Sequence, residues 1–174
     1  MSVSHPLATR RIKFDRWSNN DLSLAFRLWG NLEVSRYIVA NGKFTEVQIK
    51  QRLIAEINND QLYNVQYWQI YSLDNNVFMG CCGLRPYDIP ANCFEIGVHL
   101  LPEFWHQGFA KEAMLAVIEY AKQSKIAKLF AGHNPHNLSS EKMLLSLGFI
   151  RVADEFYSPT GLYHPSYELM LPVI

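Results

Sequence analysis

The sequence has no excess of charge of either sign. Its 174 residues include 16 Lys plus Arg and 16 Asp plus Glu, so the formal net charge at pH 7 is zero. Nucleic-acid binding depends on a basic surface, and nucleic acid is therefore not an expected partner. No window approaches the roughly 18 apolar residues of a membrane span, and residues 1–10 lack the apolar core of a secretion signal. We expect a soluble, cytoplasmic protein with no membrane partner.

Cysteine is also scarce. The three cysteines Cys81, Cys82 and Cys93 form an odd set without metal-ligand spacing, and two of them are adjacent. This pattern favours buried, reduced thiols and predicts no metal site. A chain of 174 residues that is 49% hydrophobic suits one domain with a sizeable core, so residues 1–174 are assigned to a single domain.

Periodicity and capping residues predict the order of the secondary structure. The predicted strands cover residues 10–14, 67–73, 77–84, 93–101, 128–132, 149–152 and 167–171, and the predicted helices cover residues 22–29, 45–57, 109–124 and 137–147. Residues 85–92 and 153–165 are interpreted as connections. About seven strands and four helices in this order predict a mixed α/β (α+β) domain, with helices packed on a largely antiparallel sheet.

The chain is organised around residues 93–124, where a strand pattern changes into a helix pattern. Alternation places Phe94, Ile96, Val98 and Leu100 on one face of the strand. Glu95, Gly97 and His99 share the other face. Gly108 precedes the helix and allows close approach of a ligand to the backbone. Because first-turn amides have no partners within a helix, this junction predicts an anion site, most often for phosphate.

Two segments resemble the GNAT superfamily of acetyl-CoA-dependent N-acetyltransferases, especially its RimJ/RimL-like branch of ribosomal-protein alanine acetyltransferases. Residues 95–113, EIGVHLLPEFWHQGFAKEA, are similar to the family's acetyl-CoA motif across strand, loop and helix start. Residues 137–149, NLSSEKMLLSLGF, are similar to its Asn-x-x-Ser helix ending in Leu-Gly-Phe. Residues 9–12 resemble the branch's opening strand. Two motifs in the right order are far more specific than either alone.

The resemblance implies the GNAT fold and a cleft for acetyl-CoA between two splayed strands. Pantetheine would pair with the backbone of Val98, His99 and Leu100. The pyrophosphate would meet the backbone amides of His106, Gln107, Gly108, Phe109 and Ala110, while Asn137 and Ser140 would contact the pantetheine or sulfur end. Trp105 departs from the Arg or Gln of the general pattern. The alternatives are an ordinary turn at Gly108 and a simple helix cap at Asn137.

The resemblance also implies direct attack of an amine on the thioester, without a covalent nucleophile. Glu95 is the candidate general base, through water, with a purely structural carboxylate as the equal alternative. His99 lies about 13 Å from Glu95 along an extended strand and is interpreted as structural. Many family members have a tyrosine where this chain has Leu144. Ser140 is the available group near the leaving thiolate, with helix capping as its alternative role.

The acceptor is expected to be a primary amine, either a protein N-terminal α-amine or a small molecule. The acceptor site would lie near the first helix and the late loop, where aromatic residues concentrate, although such residues more often serve packing. These residues are Trp17, Trp29, Tyr37, Phe156, Tyr157, Tyr163 and His164. The competing function is a non-catalytic acyl-CoA-binding or sensor module. The oligomeric state stays open, with a homodimer as one option.

Overall fold

A computed structural model describes residues 4–172, which form one seven-stranded sheet with helices on both faces. The strands are β1 (Ile12–Asp15), β2 (Tyr67–Ser72), β3 (Phe78–Asp88), β4 (Cys93–Leu100), β5 (Lys128–Gly132), β6 (Ile150–Tyr157) and β7 (Leu162–Met170). Their order across the sheet is β1-β2-β3-β4-β5-β7-β6. Only β4 and β5 pair in parallel, so the expected mixed, mostly antiparallel sheet is confirmed.

The α-helices in the described residues number five. They are α1 (Leu22–Trp29), α2 (Leu32–Ser35), α3 (Glu46–Tyr63), α4 (Phe109–Gln123) and α5 (Leu138–Ser146). Local capping explains several of their starts. Thr45 and Gln48 bond reciprocally at the start of α3, and the Asn31 side chain accepts from the backbone at the start of α2. The single-turn helix α2 was not expected from the sequence.

Two predicted connections are wrong. Residues 153–165 do not form a long loop, because β6 and β7 continue as a hairpin that pairs as far as Tyr157 and Leu162. Pro165 lies within β7, opposite Asp154 on the edge strand β6. The supposed linker at residues 85–92 is also shorter, because β3 extends through Asp88 and pairs with β4 across a bulge.

Two apolar layers enclose the sheet. One layer packs Ile96, Leu100 and Met114 between the sheet and α4, and the other packs Leu28, Trp29 and Leu53 between the sheet and α1 and α3. The alternation in β4 thus separates the two faces as predicted. All three cysteines are buried and unbridged, which confirms the expectation of reduced thiols.

Residues 4–172 contain neither a membrane-spanning helix nor a cluster of metal-binding side chains. No helix there is both long enough and apolar enough to cross a bilayer. Within the same range, no three or more His, Cys, Asp or Glu side chains are grouped so that they could hold a metal ion.

Candidate active site

The sheet opens between β4 and β5. The two strands pair only from Cys93 with Lys128 to Glu95 with Phe130. Beyond Glu95, β4 keeps β3 on one side and has no strand on the other, whereas β5 continues beside β7. Apart from the Leu100 carbonyl oxygen, which accepts from the Trp105 indole, the backbone groups of residues 96–100 on the open side remain available to pair with an extended ligand. Glu95 lies at the closed end of this opening.

A cleft of about 680 Å³ extends from the opening to the start of α4. Its walls come from β4, the loop before α4, the first turns of α4 and α5, and the segment around α2. The lining residues are Glu33, Val34, Arg36, Tyr37, Ile38, Val98, His99, Leu100, Phe104, Trp105, His106, Gly108, Phe109, Ala110, Lys111, Asn137, Ser139, Ser140, Lys142, Met143 and Ser146. Of the residues predicted for catalysis and cofactor binding, only Glu95 and Gln107 are outside this lining.

The loop before α4 turns its amides away from protein partners. His106 and Gly108 have positive φ angles of 58° and 80°, and Gly108 caps α4 without a side-chain hydrogen bond. Within residues 4–172, the N–H groups of residues 106–111 donate to no protein atom. Consecutive free amides at a helix start form an anion-binding concavity. Phosphate binding at these amides stays a prediction.

Trp105 fixes the same loop to the end of β4. Its indole Nε1–H donates to the carbonyl oxygen of Leu100 at 2.8 Å. The tryptophan that departs from the general family pattern therefore connects the loop before α4 to the strand that lines the cleft.

Arg11 braces the loop from outside. Its guanidinium lies 4.0 Å over the Phe109 ring and donates to the carbonyl oxygen of Gln107 at 3.0 Å. The carboxylate of Glu112 in turn accepts from Arg11 Nε at 2.7 Å and from the Thr9 hydroxyl at 2.6 Å. Partial burial opposes the charge on Glu112, but these hydrogen bonds together lower the pKa of its carboxyl.

We expect Glu112→Gln to destabilise the fold in a pH-dependent way. A carboxyl whose pKa is lower in the folded state stabilises the protein above its unfolded pKa, about 4.3, and stops doing so as the pH falls through the folded value. The variant should lose about 1–2 kcal/mol of unfolding free energy at pH 7. Urea titrations of both proteins at pH 7 and at successively lower pH measure this difference. A difference that persists unchanged below the folded pKa would contradict the ion pair as its source.

Glu95 is held in a polar cluster beside the cleft. Its Oε1 lies 2.6 Å from Arg85 Nη2 and accepts from the Tyr67 hydroxyl at 3.2 Å. Burial is the main cause that raises the pKa of Tyr67, so this phenol stays protonated as a donor. Gly97 makes room for the Tyr67 ring, because a Cβ at Gly97 would lie 2.3 Å from the phenol oxygen. The role of Glu95 as a base through water stays a prediction.

The start of α5 contributes polar groups to the cleft. Asn137 occupies the cap position, but its side chain makes no capping hydrogen bond and instead accepts from the Ser139 hydroxyl at 2.9 Å. Ser140 lines the cleft one residue further on. Leu144, at the position where many relatives have a tyrosine, is buried in the core.

The aromatic residues suggested for the acceptor site separate into different environments. Trp17 and Trp29 are buried in the core, and Phe156 and Tyr163 lie exposed on the β6–β7 hairpin, outside the cleft lining. Tyr37 alone among the suggested residues lines the cleft. Packing thus explains the two tryptophans, and the late hairpin does not form the cleft wall.

Sequence analysis missed three basic side chains in the lining: Arg36, Lys111 and Lys142. Lys111 lies in the first turn of α4, within the motif of residues 95–113, so the motif could have indicated that Lys111 belongs to the site. Arg36 comes from the segment after α2, whose approach to α4 only the folded chain shows. These cations favour a phosphorylated ligand along the cleft.

Two features of this site favour a long, extended, phosphorylated ligand. The parallel strands β4 and β5 separate, and the start of α4 beside them has free amides. Residues 11–150 match the profile of the acetyltransferase (GNAT) domain, and the chain belongs to this family. It is 29% identical over 145 residues to the uncharacterised N-acetyltransferase p20 of Bacillus licheniformis, and the match covers 82% of this chain and 81% of that protein.

Solved structures share the fold. RimL, a ribosomal L7/L12 α-N-protein acetyltransferase solved in complex with coenzyme A, superposes with a TM-score of 0.80 at 12% identity, covering 95% of this chain and 97% of that one. A GNAT-family acetyltransferase from Bacillus anthracis superposes with a TM-score of 0.78 at 19% identity, covering 94% and 96%. At these identities the superpositions establish the fold, and the predicted GNAT fold is confirmed.

Proposed function

We propose that this protein transfers the acetyl group of acetyl-CoA to a primary amine, as a RimJ/RimL-like N-acetyltransferase. The observation that carries the proposal is the continuity of one cleft, which joins the open edge of β4 to the free amides at residues 106–111. Acetyl-CoA matches this cleft chemically: its pantetheine amides can pair with a strand edge, and its phosphates need amide donors and cations.

In this proposal the cosubstrate lies along the cleft. The backbone of Val98, His99 and Leu100 pairs with pantetheine, and the amides of residues 106–110 receive the pyrophosphate. Lys111 and Lys142 face the remaining phosphate charge. Asn137 and Ser140 stand at the sulfur end, where the Ser140 hydroxyl donates a hydrogen bond to sulfur as the thiolate leaves.

The amine approaches from the α2 side of β4. The attacking nitrogen forms the new bond to the acetyl carbon and loses one proton through water to Glu95, while the carbon–sulfur bond breaks and coenzyme A leaves as the thiolate. Backbone N–H groups near Val98 stabilise the charge that develops on the carbonyl oxygen. Only a neutral amine attacks. A protein α-amine with a pKa near 7.7–8.0 is neutral in about one molecule in ten at pH 7, whereas a lysine-like amine is neutral in roughly one in 2,500. An α-amine therefore needs less help from Glu95.

A thiol-release assay with acetyl-CoA and a panel of N-terminal peptides, polyamines and amino-sugar amines tests the proposal. We expect release above hydrolysis with at least one amine class, and mass spectrometry should find one added acetyl group on that amine. Tight acetyl-CoA binding without amine-dependent release would instead support the binding or sensor module. The ion pair between Glu95 and Arg85 favours that alternative, because a carboxylate held in this way can serve a purely structural role.

A further inference from the structure

The side chain of His99 has one of its ring nitrogens fixed by the core. His99 lies on the α1 side of β4 and lines the cleft. The indole Nε1–H of Trp29 donates to His99 Nδ1 at 3.1 Å, and Cys81 Sγ lies 3.7 Å from the same nitrogen. An indole nitrogen can only donate, so Nδ1 must accept. Trp29 and Cys81 are both fully buried, which leaves this contact little freedom.

An accepting Nδ1 places the ring proton on Nε2. In a neutral imidazole one nitrogen donates and the other accepts. No residue in the range 4–172 forms a hydrogen bond with His99 Nε2. The open polar group of this cleft-lining ring is therefore an N–H donor.

The surroundings of His99 disfavour a second proton on its ring. Tyr67 on β2 and Cys81 on β3 lie beside the ring, and Arg52 on α3 and Arg85 on β3 lie close enough to affect its charge. Two acids, Glu56 on α3 and Glu95 on β4, belong to the same cluster through Tyr67. Both acids are already paired, Glu56 with Arg52 at 2.8 Å and Glu95 with Arg85 at 2.6 Å. Burial first, and then the two arginines, hold the pKa of His99 well below its ordinary value. A doubly protonated ring would also carry an N–H group at Nδ1, where it would point at the N–H group of Trp29.

We propose that His99 donates a hydrogen bond from Nε2–H to an oxygen of the acceptor, and that the acceptor is an amine with a carbonyl group on the adjacent carbon. The inference rests on the proposed acetyl transfer and deepens it. Val34 and Ile38 also line this cleft, and they belong to the apolar layer that contains Trp29 and Cys81, the two partners of His99. A peptide N-terminus supplies both a reactive α-amine and, on the next carbon, a carbonyl oxygen that can accept this bond.

This assignment excludes His99 as the base. A ring whose Nδ1 accepts from Trp29 and whose Nε2 carries a proton has no free lone pair for the attacking amine. His99 therefore selects and orients the acceptor, while proton removal depends on other groups. A site built to donate to a substrate oxygen discriminates against an analogue that lacks the oxygen.

The ring state is tested on the full-length protein by ¹⁵N-detected NMR of its histidines, assigned with His99→Gln. We expect His99 to remain neutral with the proton on Nε2 from about pH 6 to pH 8, on either side of the ordinary histidine pKa. Trp29→Phe removes the donor to Nδ1 and should let the ring change tautomer or titrate. A wild-type ring protonated on Nδ1, or doubly protonated at neutral pH, would overturn the assignment.

Substrate selection is tested with a short peptide and an alkylamine of matched length that lacks the carbonyl group. For the peptide, His99→Leu should lower kcat/KM about tenfold, corresponding to one hydrogen bond, while His99→Gln retains most activity because its amide can donate. Titration of both variants with coenzyme A checks folding and separates any effect on the cofactor-binding backbone of residue 99 from the effect on the acceptor. For the alkylamine, which has no carbonyl oxygen to accept the bond, His99→Leu should cause a severalfold smaller loss of kcat/KM than for the peptide.

Equal losses on the two amines, or no loss on the peptide, would contradict the contact with the carbonyl oxygen. A wild-type protein that releases no thiol with any amine would contradict the proposed function as well. A wild-type enzyme that acetylates both amines equally would contradict this contact alone. The two failures are thus distinguishable.

Discussion

Gly108→Val is expected to weaken coenzyme A binding by roughly tenfold to a hundredfold, or about 1.4 to 2.8 kcal/mol. Gly108 has a φ of 80°, in the left-handed region that a β-branched residue strongly disfavours. The substitution therefore turns the backbone at the start of α4 and misdirects the amides of residues 106–110. It also places a branched side chain where the proposed function puts the pyrophosphate. Isothermal titration with coenzyme A measures the effect.

The chain contains a matched control for this substitution. Gly161 has a φ of 69° in the β6–β7 turn, and a Cβ there would meet no atom within 4 Å. Gly161→Val imposes a similar backbone strain far from the cleft, so it should lower the melting temperature and leave coenzyme A affinity unchanged. Gly108→Asn should bind better than Gly108→Val, because Asn tolerates the left-handed region. If Gly108→Val and the wild type bind coenzyme A equally tightly, the phosphates do not bind at this loop.

Glu95→Gln is expected to lower kcat by about a hundredfold, the contribution of a general base, and to change the pH dependence of kcat. Gln keeps the size of Glu95 and can still accept from the Tyr67 hydroxyl, but it cannot take a proton. The affinity for coenzyme A should stay the same, because Glu95 lies at the closed end of the opening and outside the cleft lining. Steady-state rates across pH, with the best amine from the panel, measure these effects.

Glu168→Gln supplies the comparison. Glu168 is an ion-paired strand carboxylate, 3.1 Å from Lys128, and it also lies outside the cleft lining. Its substitution should leave both kcat and the pH profile unchanged, which separates loss of a base from loss of an ion pair. If Glu95→Gln behaves like Glu168→Gln, the carboxylate of Glu95 only holds Arg85 in place, and the amine loses its proton to water or another group.

Sequence patterns succeeded where structure depends on near neighbours. The alternation in β4, the helix periodicity of α4 and the glycine between them define a local unit, because each is set by residues a few positions apart. They failed at the β6–β7 hairpin. Proline and turn-forming residues in 158–165 favour a loop, but residues 153–157 of β6 pair with residues 162–166 of β7 and so extend both strands. Pro165 is tolerated there because it lies opposite an edge strand.

Local sequence patterns could not predict which polar groups surround the cleft. The proline that follows Arg85 led to the prediction of a linker, but Arg85 lies in β3, and the antiparallel register places it opposite Glu95. Trp29 and His99 are 70 residues apart and meet only because α1 packs on the β4 face that carries Gly97 and His99. No residue spacing in the sequence encodes such a contact.

By itself the sequence determined the fold class, the strand-to-helix junction at residues 93–124 and the family resemblance, because these depend on periodicity and on contiguous motifs. Only the tertiary structure decided that β4 separates from β5 after Glu95, that Glu95 is paired with Arg85, and that His99 offers an N–H to the cleft. The physical reason is that hydrogen bonding and charge at each of these groups are set by partners from distant strands and helices, which come together only when the apolar layers on both faces of the sheet are packed.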